Sequence, residues 1–322
     1  MANSYPGFLP PETDPGLAWL FPGQGAQTVG MGRDIYETSA AARHVFDTAD
    51  RVLGFRLTEL CFDGPEERLR RTEHTQPAIF ATSLACLAAA VESHRISHRP
   101  AFAAGHSLGE YTALVASGAL SLEDGLSLIS RRAQLMAAAA RQTPGAMAAI
   151  MGLDEATIME VCRVAGVDVC NLNLPDQTVI GGSAAGVEKA MDLATQRNAS
   201  RVQSLNVGGA FHSRLMQPAV EGLGAALASA PIAAPAVPVI ANASARVLRT
   251  AADIRHELAV QVASAVHWHE SVTLMAAGGV HTFIEFGPGR VLTGLVKRIL
   301  PGVNLANIAT LKDLSGQVVT QQ

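Results

Sequence analysis

The segment Gly105-His-Ser-Leu-Gly109 matches the Gly-x-Ser-x-Gly pattern in which a serine serves as a nucleophile. It follows a short apolar run at 100–104, which predicts a buried strand, and it leads into a helical pattern at 108–116. On such a turn the serine projects into a cleft, and free amides at the helix N-terminus can stabilise an oxyanion. Ser107 is therefore a candidate nucleophile, and the motif alone leaves esterase, lipase and acyltransferase open.

A serine nucleophile needs a general base, and the chain has ten histidines. His212 lies in Gly208-Gly-Ala-Phe-His-Ser213, after a predicted strand and a glycine turn, so it occupies a loop that can reach a neighbouring cleft. His106 adjoins the serine, but a residue next to the nucleophile on such a turn generally points away from it. His106 therefore either lines the pocket or packs against the rest of the protein. Spacing favours His212 as the base. Three histidines that flank a late helix are weaker candidates: His267, His269 and His281.

A second glycine turn, Phe21-Pro-Gly-Gln-Gly-Ala-Gln27, follows another apolar run at 17–21 that predicts a buried strand. The turn lacks the Lys-Ser/Thr pair of a P-loop, so a phosphate cradle is the weaker interpretation. We expect its amides to face the same cleft as the serine. The backbone N–H of Gln24 would then bind the oxyanion beside the N–H of Leu108.

Several motifs occur together in an order that resembles the malonyl-CoA:acyl-carrier-protein transacylases of fatty-acid synthesis and the related polyketide acyltransferases. The resemblance runs from Ala18 to about Leu311. It implies transfer of a malonyl group from malonyl-CoA to the phosphopantetheine thiol of an acyl carrier protein, through a malonyl ester on the serine. The motifs are Phe21-Pro-Gly-Gln-Gly-Ala-Gln27, Thr75-Gln-Pro-Ala78, Gly105-His-Ser-Leu-Gly-Glu110, Gly209-Ala-Phe-His-Ser213 and Glu285-Phe-Gly-Pro-Gly289.

The resemblance assigns a role to each matching residue. Ser107 matches the nucleophile and His212 matches the base. In this family a backbone carbonyl orients the base, and no acid lies beside His212; we expect the segment 261–268 to supply that carbonyl. Three further matches concern the pocket: Gln24 and Leu108 as the oxyanion amides, and His106 as a pocket residue.

Arg132 matches the arginine that holds the free carboxylate of the malonyl group. A guanidinium can bind a carboxylate through two parallel hydrogen bonds. Arg131 and Arg132 are adjacent on a predicted helix, so their side chains diverge by about 100° and only one can face the pocket. Without the resemblance the choice between the two stays open.

Substrate preference can be inferred from two neighbours of the reactive residues. Phe211 before the histidine and Leu108 after the serine resemble the malonyl-type pattern of the polyketide acyltransferases. A bulky ring fills the space that an α-methyl group would occupy, which predicts discrimination of about 1–3 kcal/mol against methylmalonyl. Asn171 and Asn173 either line the cleft or pack at strand ends.

The elements around these motifs alternate between strands and helices, which predicts an α/β fold. Between 145 and 207 the pattern changes to about four short strands and two helices, typical of a split-βαβ lobe. The resemblance implies the same architecture: a hydrolase-like core with a parallel sheet flanked by helices, plus a smaller ferredoxin-like inserted subdomain. The large subdomain is then 17–144 and 208–312, with irregular termini at 1–16 and 313–322.

Composition excludes several classes of function. The 322 residues carry a net charge of −4, so the basic excess of a nucleic-acid binder is absent. No run approaches the roughly 20 apolar residues of a membrane span, and 1–15 lacks the pattern of a secretory signal. Four cysteines without a CxxC pair predict free thiols and a cytoplasmic protein. We expect a monomer that needs no metal or redox cofactor.

Two other functions compete with malonyl transfer. An acyl hydrolase could clear acyl groups from carrier proteins with the same serine and histidine. Arg132 argues for transfer, because a general acyl hydrolase has no use for a carboxylate clamp. A catalytically silent docking protein is the third possibility, and the joint presence of Ser107, His212 and Arg132 argues against it.

Overall fold

A computed structural model describes residues 7–315 of the chain. Ten strands lie in this part, in two separate sheets. They are β1 (Glu12–Phe21), β2 (His98–Gly105), β3 (Ala146–Met151), β4 (Asp168–Leu174), β5 (Gln177–Gly182), β6 (Arg201–Ser204), β7 (Val239–Ile240), β8 (Val247–Leu248), β9 (Thr282–Phe286) and β10 (Asn304–Ile308).

Fourteen α-helices accompany the strands in the same range of residues. They are α1 (Arg33–Thr38), α2 (Ala40–Leu53), α3 (Leu57–Asp63), α4 (Glu66–Leu69), α5 (Thr72–Glu92), α6 (Leu108–Ala116), α7 (Leu122–Gln142), α8 (Glu155–Ala165), α9 (Ala184–Gln196), α10 (Gln217–Ser229), α11 (Ala251–Gln261), α12 (Trp268–Ala277), α13 (Val291–Ile299) and α14 (Leu311–Leu314). A short 3₁₀ turn, Arg214–Met216, precedes α10.

The larger sheet has the strand order β10-β9-β1-β2-β7-β8. Its pairs are parallel except for the final hairpin of β7 and β8. The central strand β1 is buried from Ala18 to Phe21, as expected for a parallel strand covered by helices on both faces. Its aromatic residues pack at the centre of the core, with the ring of Trp19 5.5 Å from that of Phe286. The predicted α/β fold is confirmed.

The second sheet is antiparallel, with the order β4-β5-β3-β6. Its strands and the helices α8 and α9 follow one another as βαββαβ, which is the ferredoxin-like arrangement. Apolar residues of the two helices pack on one face of the sheet around Ile150 and Ile180. These elements occupy 146–204, inside the range 145–207 that the sequence predicts for the smaller subdomain.

Helix α5 is apolar on all sides and runs through the core. It has 21 residues and a mean hydropathy of 1.2 over an 18-residue window, so it is long and apolar enough to span a membrane. The expectation that no stretch would reach this length is therefore wrong. In the fold, 89% of that window is buried against the rest of the protein. An all-round apolar helix of this kind is what a central position in a large core requires.

Several predicted boundaries differ from the structure. The leader predicted at 1–16 is not irregular throughout, because β1 begins at Glu12 and its polar start pairs with His98 and Arg99. This stretch lacks apolar alternation, so pairing with β2, not burial, makes it a strand. Residues 1–6 of the predicted leader lie outside the described part. The predicted tail at 313–322 overlaps the end of α14 at Leu314, and residues 316–322 lie outside the described part.

Candidate active site

Ser107 lies on a tight turn between β2 and α6, with φ 53° and ψ −108°. Gly105 and Gly109 let the backbone of this turn pass close to itself and to the end of β1. A Cβ on Gly105 would lie 1.9 Å from the carbonyl of Gly109, and one on Gly109 would lie 2.1 Å from the carbonyl oxygen of Phe21. The positive φ of a serine is a strained conformation, and here close packing of the turn against the end of β1 holds it. The turn is thus a nucleophile elbow at the carboxyl end of a central strand.

His212 lies within hydrogen-bonding distance of the serine. Its Nε2 is 2.7 Å from Ser107 Oγ, and its Nδ1 is 2.9 Å from the carbonyl oxygen of Gln261 and 3.1 Å from that of Ser264. A carbonyl oxygen only accepts, so Nδ1 carries the ring proton and Nε2 accepts from the serine hydroxyl. The segment 261–268 was predicted to supply this carbonyl, and it does.

The surroundings of His212 keep the ring neutral. Burial, together with the nearby positive charge of Arg132, lowers its pKa to about 3. The carbonyl of Gln261 opposes this shift because it accepts a hydrogen bond from the ring. At neutral pH the imidazole is therefore uncharged, which is the form that can accept a proton.

Arg132 is the arginine that faces the site, whereas its neighbour Arg131 is exposed. Its Nη2 donates to Ser107 Oγ at 3.0 Å and to Gln261 Oε1 at 2.8 Å, and its Nη1 donates to Gln76 Oε1 at 2.6 Å. Arg132 is only 1% exposed, and all three acceptors are neutral. Among the described residues it contacts no carboxylate. A buried cation that no carboxylate contacts favours the binding of an anion at this point.

Gln24 and Leu108 both line the cleft beside the serine. Ser107 N is engaged, because it donates to Asn242 Oδ1 at 2.6 Å. Within 7–315 neither Gln24 N nor Leu108 N donates to a protein acceptor. These two amides are therefore available to an oxyanion, and that of Leu108 stands at the N-terminus of α6, where the helix dipole also favours negative charge.

A buried polar network that the sequence motifs did not reveal supports the elbow. Asn242 Nδ2 donates to the carbonyl of Gly105 at 2.7 Å, on the other side of the serine. Gln261 Nε2 donates to the carbonyl of Ser107 and to Glu110 Oε2, at 2.9 Å each. Glu110 is fully buried, and burial raises the pKa of its carboxyl well above the usual value.

Gln261 is the residue that sequence reasoning missed most clearly. Its carbonyl orients His212, its side-chain oxygen holds Arg132, and its side-chain nitrogen holds the backbone of Ser107. Only its place in the segment predicted to supply a carbonyl pointed toward it. Gln76 was visible in a motif, yet its contact with Arg132 depends on two helices, α5 and α7, that only the fold brings together.

The cleft above these residues has a volume of about 700 Å³, a size typical of small-molecule sites. Phe211 lines it and is 7% exposed, so its ring fills part of the space near the base. His106 also lines the cleft, and its Nε2 lies 2.9 Å from Asn173 Oδ1. Of the two asparagines considered, Asn171 lines the cleft directly, and Asn173 acts on it through His106.

Similarity to known proteins agrees with this geometry. The sequence model of the acyl transferase domain matches residues 18–313. The malonyl CoA-acyl carrier protein transacylase of Bacillus subtilis (strain 168) is 46% identical over 288 residues, which cover 88% of this chain and 90% of that protein.

Solved structures give the same result. A crystal structure of a malonyl-CoA:acyl carrier protein transacylase from Xanthomonas oryzae pv. oryzae is 42% identical, with a TM-score of 0.91 over 95% of this chain and 98% of that chain. Another, with a TM-score of 0.88 and 37% identity over 92% and 97% of the two chains, is a malonyl-transacylase in complex with its type II polyketide acyl-carrier protein. The chain is thus similar to malonyl-CoA:acyl carrier protein transacylases in sequence and in structure. The nucleophile elbow and the buried arginine agree with this similarity, and the chain belongs to the acyl transferase family.

Proposed function

We propose that this enzyme transfers a malonyl group from malonyl-CoA to the phosphopantetheine thiol of an acyl carrier protein. The observation that carries the proposal is the position of Arg132, a buried cation with only neutral partners, 3.0 Å from the hydroxyl that His212 engages. A group that carries a carboxylate close to a reactive carbonyl matches this pair of sites. The relatives named above support transfer, and they give the alternative of an acyl hydrolase no support.

In the first half-reaction Ser107 Oγ attacks the thioester carbonyl of malonyl-CoA while Nε2 of His212 takes the hydroxyl proton. The imidazolium formed is stabilised by the carbonyl oxygens of Gln261 and Ser264 at Nδ1. The carbon–sulfur bond then breaks, and the departing thiolate of CoA takes the proton from Nε2. A malonyl ester remains on Ser107, with its free carboxylate on Arg132.

The amides of Gln24 and Leu108 stabilise the tetrahedral intermediate. Negative charge develops on the carbonyl oxygen in the transition state, and donors that are already positioned need no reorganisation at that moment. The loss of one such donor typically slows acyl transfer by about 100-fold to 1,000-fold. Since Ser107 N is engaged by Asn242, the N–H of Leu108 is the one that the elbow contributes.

In the second half-reaction the thiol of the carrier protein enters in place of CoA. It loses its proton to Nε2 of His212 and attacks the ester carbonyl. The carbon–oxygen bond breaks, and Ser107 Oγ recovers the proton from Nε2. These steps need no metal or redox cofactor, because one serine, one histidine and fixed hydrogen-bond donors supply every proton transfer and charge contact.

Two-substrate kinetics test the proposal. Initial rates are measured against malonyl-CoA at several concentrations of holo acyl carrier protein, with release of free malonate followed in the same samples. We expect parallel lines in double-reciprocal plots and transfer that far exceeds hydrolysis. Malonate release faster than transfer would mean that the enzyme is a hydrolase. Intersecting lines without an acyl-enzyme would contradict the ester intermediate.

The remaining properties follow from the same site. We infer a monomer, because Ser107, His212 and Arg132 and the hydrogen bonds that hold them all come from one chain. We also infer a cytoplasmic location, which the four buried free cysteines support, since free thiols persist in a reducing compartment. Light scattering of the purified enzyme and fractionation of the cells that make it test these two points.

A further inference from the structure

Besides the buried Arg132, three arginines line the cleft. Arg70 and Arg71 lie between α4 and α5, and Arg141 lies in the last turn of α7. All three are exposed. Arg70 is occupied, because its Nε and Nη2 donate to Glu66 at 3.1 and 2.6 Å.

Arg71 and Arg141 are different from Arg70. Within residues 7–315 neither guanidinium has an ion-pair or hydrogen-bond partner, so both forks are available to a ligand in the cleft. A guanidinium binds a phosphate through two parallel hydrogen bonds, as it does a carboxylate. Two such groups at one cleft mouth favour an anionic ligand group there.

Helix α7 sets the distance between the two ends of the cleft. Arg132 and Arg141 both line the cleft and are nine residues apart on this helix, which corresponds to about 14 Å along its axis. In the proposed reaction the malonyl carboxylate binds at Arg132 and the reacting carbonyl at Ser107. Since Arg132 is buried and Arg141 is exposed, the rest of the substrate extends from Ser107 toward the exposed side of the cleft, which Arg141 lines.

The N-terminus of α5 strengthens this end of the cleft. Arg71 is its N-cap residue, and Thr72 and Glu73 also line the cleft. In the described part of the chain, the backbone N–H groups of Thr72 and Glu73 donate to no protein acceptor. The partial positive charge of a 21-residue helix thus adds to that of the Arg71 side chain.

Acidic residues among those that line the cleft reduce the net positive charge around the arginines. Glu67 and Glu73 line the cleft mouth together with the arginines. Long-range attraction of an anion is therefore weak here, and binding depends on the directed hydrogen bonds of the guanidinium forks. A ligand whose phosphate reaches Arg71 and Arg141 gains these bonds, and a ligand without a phosphate does not.

We infer that Arg71 and Arg141 form a subsite for the 4′-phosphate of the pantetheine arm. This inference rests on the proposed function, in which malonyl-CoA and the carrier protein present the same arm to one cleft. The 4′-phosphate is the first anionic group along the arm from the thioester, and both substrates have it. The nucleotide phosphates of CoA lie beyond it, farther from Ser107.

A series of malonyl thioesters tests the subsite with Arg71→Gln, Arg141→Gln and the double variant. The second-order rate constant for acylation of Ser107 is measured with malonyl-CoA, malonyl-4′-phosphopantetheine and malonyl-pantetheine. We expect the double variant to lose about tenfold or more with the first two substrates and to react normally with malonyl-pantetheine. Its KM for the holo carrier protein should rise by a similar factor.

Arg131→Gln is the matched control, because it removes the same charge from an exposed position on α7 that does not line the cleft. It should leave all three rate constants unchanged. An equal loss with malonyl-pantetheine would overturn the inference, since the arginines would then act on the shape of the cleft. A loss with malonyl-CoA alone would also overturn it, because the nucleotide phosphates would be the group recognised. If the wild-type enzyme transferred no malonyl at all, the proposed function would fail instead.

Discussion

Replacing Arg132 by alanine should change which acyl group the enzyme accepts. The guanidinium is 1% exposed, so solvent does not screen its interaction with a bound carboxylate. Removing one partner of a buried ion pair typically costs about 3–5 kcal/mol. The lower figure corresponds to a loss of more than 100-fold in the acylation rate constant for malonyl-CoA. Acetyl-CoA has no carboxylate, so its acylation rate constant does not depend on this ion pair.

Both substrates share a smaller loss. Arg132 Nη2 donates to Ser107 Oγ at 3.0 Å, and this hydrogen bond disappears whichever acyl group is used. A hydrogen bond of this kind contributes about 1 kcal/mol, or roughly fivefold in rate. The variant should therefore lose roughly 500-fold with malonyl-CoA and fivefold with acetyl-CoA, so that the preference for malonyl falls by about 100-fold.

The measurement is single-turnover acylation, quenched at timed intervals and read as the mass of the intact protein. Malonyl-CoA and acetyl-CoA are run in parallel on the wild type, Arg132→Ala and Arg132→Lys. The lysine variant keeps the charge without the planar fork and should fall between the other two. Arg131→Ala controls for the loss of a positive charge on α7, and circular dichroism checks that each variant is folded. An equal fall with both substrates would refute a carboxylate role for Arg132.

Three further perturbations test other parts of the site. Burial and the charge of Arg132 lower the pKa of His212 to about 3, so the acylation rate should change less than twofold between pH 7.5 and pH 5. With a base of the ordinary pKa of about 6.5, the rate would fall roughly 30-fold over this range. A pH–rate profile distinguishes the two. Gly109→Ala places a Cβ 2.1 Å from the carbonyl oxygen of Phe21, so it should lower the melting temperature and abolish acylation. In the control Gly224→Ala the added Cβ meets no atom within 4 Å, so neither property should change. Phe211→Ala opens space beside the base and should raise the rate with methylmalonyl-CoA relative to malonyl-CoA in a competition assay by about fivefold to 150-fold, the equivalent of about 1–3 kcal/mol.

Elements with strong local signals were predicted closely. Helix α6 has the predicted bounds because a glycine turn precedes it and Gly118 follows it. The patterns at 177–182 and 282–286 predict two further strands, and β5 and β9 have these bounds, since short apolar runs end there at glycines. In these segments the residues themselves carry both the burial pattern and the signal that ends the element.

Other elements depend on contacts that one segment does not encode. The edge strand β10 was not predicted, because most of it is only half-buried and pairing with β9 makes it a strand. The helical spacing at 34–52 predicts a single helix. The structure has two, because the extended backbone of Ser39 ends α1 and its side chain caps α2. The segment 235–242 has the pattern of a strand, but in the structure only β7 forms there, since the prolines in this segment cannot donate to a ladder.

The active site divides in the same way. Ser107 and the turn around it are local, so the motif and its strand–helix context located them. The resemblance was needed to choose Arg132 over Arg131, because adjacent positions on a helix give no sign of which one faces a cleft. Gln261 and Asn242 act on Ser107 from more than 100 residues away, and only the folded chain shows their contacts.

Mapping the acyl ester tests the central mechanism most directly. The wild-type enzyme and Ser107→Ala are incubated with malonyl-CoA without carrier protein, and digested peptides are analysed by mass spectrometry. We expect one malonyl group on the peptide that contains Ser107, its loss when holo carrier protein is added, and no adduct in the variant. A malonyl ester on another residue, or an adduct that persists in Ser107→Ala, would contradict the mechanism.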